Sequence, residues 1–306
     1  MNATQRKNAV LYSLVGDALS LGPHWVYNQS AIARKLGEIT GYADPLSRYH
    51  TGKTAGAFTH YGDQTMALLR SLDPESGFSL HSFAESWRAF WENPETESYR
   101  DGATTTTLQN LQGGAGPKES ASPSNDIAGA ARIAPLFLLP WETPEELITA
   151  ARAQTGFTHG DPAVIEAAEF FARVTLDVAN GVSIPEAIEA AARLDRWNAI
   201  PEAWFASATQ SAHETSEFLD AAQAHGLTCH IPEAFPATID LLLRYPNDVV
   251  AGLKANAHAG GDSAARGLLL GLVYGVAPEP EALPEEWLTQ LAAKTEIDNL
   301  INDLES

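Results

Sequence analysis

Four short clusters in this 306-residue chain set a carboxylate beside glycine, close to an imidazole or a hydroxyl. They are Gly16-Asp17 with His24-Trp25 behind it, His60-Tyr61-Gly62-Asp63-Gln64-Thr65, Thr158-His159-Gly160-Asp161, and His258-Ala259-Gly260-Gly261-Asp262-Ser263. Glycine lets a backbone approach its neighbours closely, and a helix N-terminus attracts anions and carboxylates alike. For any one cluster, an aspartate that caps its own helix is the simpler account. Asp63 and Asp262 together suggest more, because each opens an apolar helix and they stand near opposite ends of the chain. If the two turns meet, a carboxylate pair shares one glycine-lined pocket. Such a pair suits a hard cation such as Mg²⁺, which takes oxygen ligands. It also suits division of labour between a general acid and a general base in glycoside hydrolysis. His159, or His60 beside Asp63, is the candidate proton carrier, since imidazole titrates near neutrality.

Other motifs fail on spacing. Gly52-Lys53-Thr54 ends like a phosphate loop, but Ser47 stands where the leading glycine belongs and no strand precedes it. His213-Glu214 begins like a zinc-protease helix, yet Glu217 occupies the place of the second histidine. Gly113–Gly116 lacks the spacing of a dinucleotide fingerprint and reads as a flexible loop. Cys229 lies next to His230, but adjacent side chains point apart, so it reads as a packed thiol.

The elements that must carry these groups are helices. Asp161-Pro162 reads as a helix start, Val164, Ala168, Phe171, Val174 and Val178 recur on one face, and Asn180-Gly181 closes the segment. Similar periodicity runs through 4–19, from Ser79 through Phe83, Trp87 and Phe90, and through 144–154, 184–194, 201–224, 234–243, 247–259, 262–276 and 284–304. Alternating β-branched runs and hairpin dipeptides are missing from the sequence, so an all-α bundle of about a dozen helices is expected. Two loop-rich stretches, 42–64 and 111–125, interrupt the pattern, and long loops in a helical domain often carry binding groups. No composition shift or repeat divides the chain, which is expected to form one domain over 1–306.

Composition narrows the function. Lys and Arg number 19 against 39 Asp and Glu, a net charge of −20, which repels nucleic-acid phosphates and anionic lipid. Binding of nucleic acid or a membrane is therefore not expected. The single cysteine excludes an internal disulfide and fits a reducing compartment. The longest apolar run, 267–277, falls short of the roughly 20 residues a membrane span needs. No signal-peptide pattern follows Arg6-Lys7, and a cytoplasmic location is expected.

The order and spacing of the motifs resemble the ADP-ribosylglycohydrolase family, especially its crystallin J1-like branch. The similarity runs from Val15-Gly16-Asp17-Ala18-Leu19 and Gly22-Pro23-His24-Trp25 through Tyr61-Gly62-Asp63-Gln64 to Gly260-Gly261-Asp262-Ser263. Between these lie Tyr99-Arg100-Asp101-Gly102-Ala103-Thr104, Ser124-Asn125-Asp126, Ala131-Arg132-Ile133-Ala134-Pro135 and Thr158-His159-Gly160-Asp161-Pro162. The resemblance implies a compact all-α domain whose cleft, in catalytic members, holds two Mg²⁺ ions and hydrolyses the glycosidic bond of ADP-ribose. The departures are specific. The family's Thr-Asp-Asp is matched by Tyr61-Gly62-Asp63, and its Asp-x-Asp-Thr by Asp262-Ser263-Ala264-Ala265. Glycine and alanine offer no side-chain oxygen, so the dinuclear site is expected to be missing, leaving one weakly held Mg²⁺ on Asp63 and Asp262, or none. Asp63, Asp262 and His159 are the expected catalytic groups, with Asp17, Asn125, Asp126, Arg132 and Asp161 on the ligand. The expected activity is hydrolysis of an ADP-ribosyl or related N- or O-glycosidic bond. The alternative is a non-catalytic nucleotide-sugar-binding or crystallin-like protein on the same fold.

Overall fold

The computed structural model describes residues 1–215 and 217–305. Sixteen α-helices follow one another among them: α1 (Ala3–Ser20), α2 (Gln29–Leu36), α3 (His60–Ser71), α4 (Leu80–Glu92), α5 (Gly102–Gln112), α6 (Ala128–Ala131), α7 (Pro144–Thr158) and α8 (Pro162–Ala179), then α9 (Ile184–Ala192), α10 (Glu202–Glu214), α11 (Phe218–His225), α12 (Ile231–Arg244), α13 (Val249–Ala259), α14 (Ser263–Gly275), α15 (Glu285–Thr289) and α16 (Lys294–Glu305). No strand forms among the described residues, where extended pairing is confined to three isolated bridges. The all-α expectation holds. Nor is any described helix long and apolar enough to cross a membrane.

Local chemistry sets many of the boundaries. Asp161 accepts hydrogen bonds from the amides of Ala163 and Val164 at the head of α8, and Gly181 at φ +91° follows its C-cap Asn180. Two expected helices divide. The 201–224 segment becomes α10 and α11, and the 284–304 segment becomes α15 and α16. Between the latter two, Leu291 turns inward and the Ala292 amide bonds to the Gly56 carbonyl at 2.9 Å. Tertiary contact outweighs helical periodicity there. Helix α5 lies outside the expected set because Thr104–Thr107 are poor helix formers. Its start is rescued by Asp101, which accepts the Thr104 amide at 2.6 Å.

The centre of the molecule is an antiparallel pair, α1 against α14, drawn together until backbones touch. A Cβ added at Gly271 would lie 2.0 Å from the Tyr12 carbonyl oxygen, one at Gly275 2.3 Å from that of Asn8, and one at Gly16 2.1 Å from that of Gly267. Glycine every fourth residue on α14 thus forms the contact stripe. This pairing carries the residues after α1 and those before α14 to the same end of the bundle.

Candidate active site

Beyond α1 the chain turns through Gly22–Val26 and meets the turn ahead of α14. The Trp25 amide donates to the Gly261 carbonyl at 2.7 Å, the Gly261 amide returns to Val26 at 2.9 Å, and the Asp262 amide reaches Leu227 at 2.8 Å. Gly260 and Gly261 sit at φ +68° and +58°, and a Cβ on Gly261 would come within 2.2 Å of the Leu227 oxygen. Trp25 itself adopts φ +59°, a conformation that costs on the order of 1–3 kcal/mol outside glycine. Its hydrogen bond to Gly261 holds it there. The Trp25 ring stacks on His24 at 4.8 Å and meets Tyr49 and Tyr99 edge-on, both at 5.2 Å. Trp25, Tyr99, Asp101, Ser122, Ser124 and Asp126 line a cleft of about 490 Å³, with Cys229 at its side.

Two carboxyls on this cleft are pushed in opposite directions. Asp126 accepts the Ala128 amide at 2.8 Å and the Tyr61 hydroxyl at 3.1 Å. Burial nonetheless raises its pKa, and the nearby Asp101 charge adds to the rise. Burial acts on Asp101 in the same sense, but hydrogen bonding from His60 and the Thr104 amide overcomes it and holds that carboxyl below the usual range. Behind Asp126 lies Asp262, fully buried, with His24 Nε2 3.6 Å from its Oδ1. Burial first, then repulsion from Asp126, raises Asp262 well above an ordinary aspartate, while Arg266 opposes the shift. Neither of its oxygens makes a hydrogen bond of normal geometry among the described residues, although the Tyr61 and Trp25 side chains lie near enough to oppose the shift.

A histidine cluster lies beside Asp262. Nitrogens of His24, His50 and His60 all fall within 4.8 Å of one another, and all three rings are buried. His60 Nδ1 is 3.4 Å from His50 Nε2, and His60 Nε2 is 3.4 Å from Asp101 Oδ2. Burial depresses the His50 pKa to about 3 and that of His24 well below its normal value, with neighbouring imidazoles adding to both. Both shifts favour the neutral imidazole.

The residues expected from the motifs fall in several places. Asp262 and Asp126 come together. Asp63 faces elsewhere: its carboxylate is 2.7 Å from Lys53 Nζ, and both line a separate cavity with Phe90, Arg70 and Glu296. Asp17 is buried and accepts the Thr59 amide at 2.8 Å and the Thr59 hydroxyl at 2.6 Å. Arg132 is buried too, donating to Gln64 and, at 2.5 Å, to the Thr158 hydroxyl. His159 is buried against Gly129, with Nδ1 2.8 Å from the same Thr158 hydroxyl. Burial and the Arg132 charge bring its pKa down to about 3. Asn125 Oδ1 lies 2.7 Å from His230 Nδ1, and Asp161 caps α8. Tyr49 and His50 escaped the sequence reading because they sit in a 3-10 turn without a surrounding motif. Nor do the donors fit a pair of Mg²⁺ ions. A Cβ at Gly62 would strike Asp17 Oδ2 at 2.4 Å, Ala264 and Ala265 have no side-chain oxygen, and Asp63 is occupied by Lys53.

Comparison with known proteins agrees with this architecture. The chain is 22% identical over 312 aligned residues to crystallin J1A and crystallin J1B of Tripedalia cystophora, covering 95% of this chain and 93% of each crystallin. A solved structure of an ADP-ribosylglycohydrolase-related protein complex superposes with a TM-score of 0.71 at 21% identity, over 99% of this chain and 97% of that one. A family profile described as ADP-ribosylglycohydrolase matches residues 5–306. With its paired terminal turns, its helical scaffold and a match over almost its full length, the chain belongs to the ADP-ribosylglycohydrolase family.

Proposed function

We propose that the cleft binds an ADP-ribose-like ligand and hydrolyses the N- or O-glycosidic bond at its ribosyl end. The observation that carries this is the split between Asp101 and Asp126, which line the same cleft, since carboxyls whose environments drive their pKa values apart divide acid and base roles. Asp126, whose pKa burial raises, gives its proton to the leaving nitrogen or oxygen. Asp101, kept ionised by His60 and the Thr104 amide, takes a proton from the water that attacks the anomeric carbon. Trp25 and Tyr99 give a flat aromatic surface for a ring of the ligand. The described lining contains no Lys or Arg, so the ribosyl end and its aglycone, rather than a diphosphate, face the acids. No step is routed through Mg²⁺, for which the donor set is unsuited.

Release of free ADP-ribose from arginine, serine and small-molecule conjugates tests the proposal. Asp126→Asn and Asp101→Asn are each expected to lower turnover by about 10²-fold or more while ligand binding survives. A second reading, a binding protein without turnover, is favoured by the missing oxygen donors at Gly62, Ala264 and Ala265. Ligand binding by the unaltered protein, with no turnover of any conjugate, would select it.

A further inference from the structure

We infer that His24, His50 and His60, with Asp262 beside them, form a built site for one divalent ion of the zinc class. Its three imidazoles are not among the oxygen-donor positions that the family motifs mark, although the neighbouring Asp262 is, and the site stands whether or not the cleft is catalytic. Its core is geometric. A tetrahedral zinc ion with Zn–N bonds of about 2.0–2.1 Å places neighbouring nitrogens about 3.4 Å apart. His60 Nδ1 and His50 Nε2 are 3.4 Å apart, and a His24 nitrogen completes a group no wider than 4.8 Å.

Second, the polar atoms around this point are short of partners. Among the described residues, His24 Nε2, His50 Nδ1 and both Asp262 oxygens are buried without a hydrogen bond. Native proteins rarely leave so many orphans in one small volume. An ion held by the three imidazoles satisfies His24 Nε2 and lies beside the buried Asp262 carboxyl.

Third, the outer contacts orient the rings. His60 Nε2 lies 3.4 Å from Asp101, the carboxylate–imidazole arrangement that fixes a ligand's tautomer and leaves Nδ1 free to bind. His24 Nδ1 accepts the Ala264 amide at 3.3 Å, so in the ion-free protein its ring proton is on Nε2, facing Asp262. Ligation through Nε2 moves that proton to Nδ1, so the ring must tilt away from the Ala264 amide that now donates to it.

Donor chemistry then selects the ion. Imidazole suits zinc, copper, nickel and iron, whereas magnesium takes carboxylate, carbonyl and water oxygens. Three imidazoles form a poor magnesium site and a good zinc site.

The test uses the full chain, stripped with a chelator and then titrated with Zn²⁺ or Mg²⁺ by calorimetry and thermal melting. Zn²⁺ is expected to bind one per chain at sub-micromolar concentration and to raise Tm, while millimolar Mg²⁺ leaves Tm unchanged. Co²⁺ in place of Zn²⁺ should give the intense visible bands of a four-coordinate ion. His50→Gln, a residue outside the proposed hydrolytic pair, is expected to weaken Zn²⁺ binding at least a hundredfold while near-ultraviolet dichroism stays native. If that variant does not fold, the Co²⁺ spectrum of the unaltered protein decides, and weak octahedral bands overturn the assignment. It is equally overturned if the stripped, folded protein takes up no Zn²⁺, or if His50→Gln binds it as tightly as the parent. Loss of hydrolysis in Asp126→Asn leaves the zinc result untouched, so the two proposals fail separately.

Discussion

Position 62 has room for a hydrogen and little else. A Cβ there would sit 2.4 Å from Asp17 Oδ2 and 2.8 Å from the Phe58 Cβ, so an aspartate placed there would have to displace a buried carboxyl already bound to Thr59. Gly62→Asp is therefore expected not to rebuild a magnesium site. It should lower stability by about 3 kcal/mol or more, through overpacking and a second charge beside Asp17. Urea unfolding with and without Mg²⁺ checks this, and a Mg²⁺-dependent gain in stability for the variant would refute it. Individual residues were legible from sequence only where a motif surrounded them. Asp126 and Asp262 stood in recognisable strings and came together in the fold. Lys53 was weighed only as the tail of a phosphate loop, yet it takes up Asp63. That pairing depends on how the 42–64 loop folds back on α3, which no local pattern encodes. The capping account was correct for Asp161 and incorrect for Asp262, which stands at the helix start yet makes no capping bond. Sequence alone offers the same Gly-Asp step in both cases.

Among the elements, the α1–α14 contact decides whether a cleft exists, because it delivers the Trp25 and Gly261 turns to one another. Its closeness comes from missing side chains rather than from large apolar ones. Gly271→Ala forces a methyl to within 2.0 Å of the Tyr12 carbonyl oxygen, backbone against backbone, where no rotamer can relieve it. The expected loss is about 3 kcal/mol or more, together with reduced ligand binding as the two turns separate. Gly156→Ala serves as the contrast. Gly156 lies inside α7 with Ile165 Cδ1 at 3.7 Å, an ordinary contact, so alanine should stabilise by about 0.5–1 kcal/mol. Equal effects from the two substitutions, measured as urea midpoints, would show that the glycine stripe is not the organising contact. Most helices could be read from apolar spacing and caps, since those signals are local. The breaks between α10 and α11 and between α15 and α16 could not, because distant packing imposes them. The same holds for the pairing of α1 with α14, in which glycine is a silent signal.

At the scale of the whole molecule, folding buries a set of titratable groups that set opposing limits on stability. His50 and His159 have pKa values near 3 in the fold and His24 is also strongly depressed, all by burial first. The unfolded chain binds protons at these histidines from about pH 6.5 downward, so the stability they support is present above that pH and is lost as acid is added. The buried carboxyls act in the other direction. Burial raises Asp17 from 3.8 to about 7 despite two hydrogen bonds from Thr59, and it raises Asp126 and Asp262 as well. Here the folded state holds protons that the unfolded state releases. Their contribution is therefore complete below about pH 4 and is lost as pH climbs through the folded values. Each unit of separation corresponds to about 1.4 kcal/mol. The surface carboxylates behind the net charge of −20 have finished titrating by about pH 5, so they add little slope above it. The two sets therefore oppose each other between about pH 4 and 6.5, and above that range only the loss from the carboxyls continues. Urea midpoints between about pH 3 and 9 test this set by set. Asp17→Asn is expected to remove a loss of stability between about pH 4 and 7, whereas His50→Gln should remove a gain between about pH 3 and 6.5. Should Asp17→Asn track the parent between about pH 4 and 7, Asp17 would have to be ionised throughout that range, and the buried Thr59–Asp17 pair would have to accommodate a full negative charge beneath Gly62.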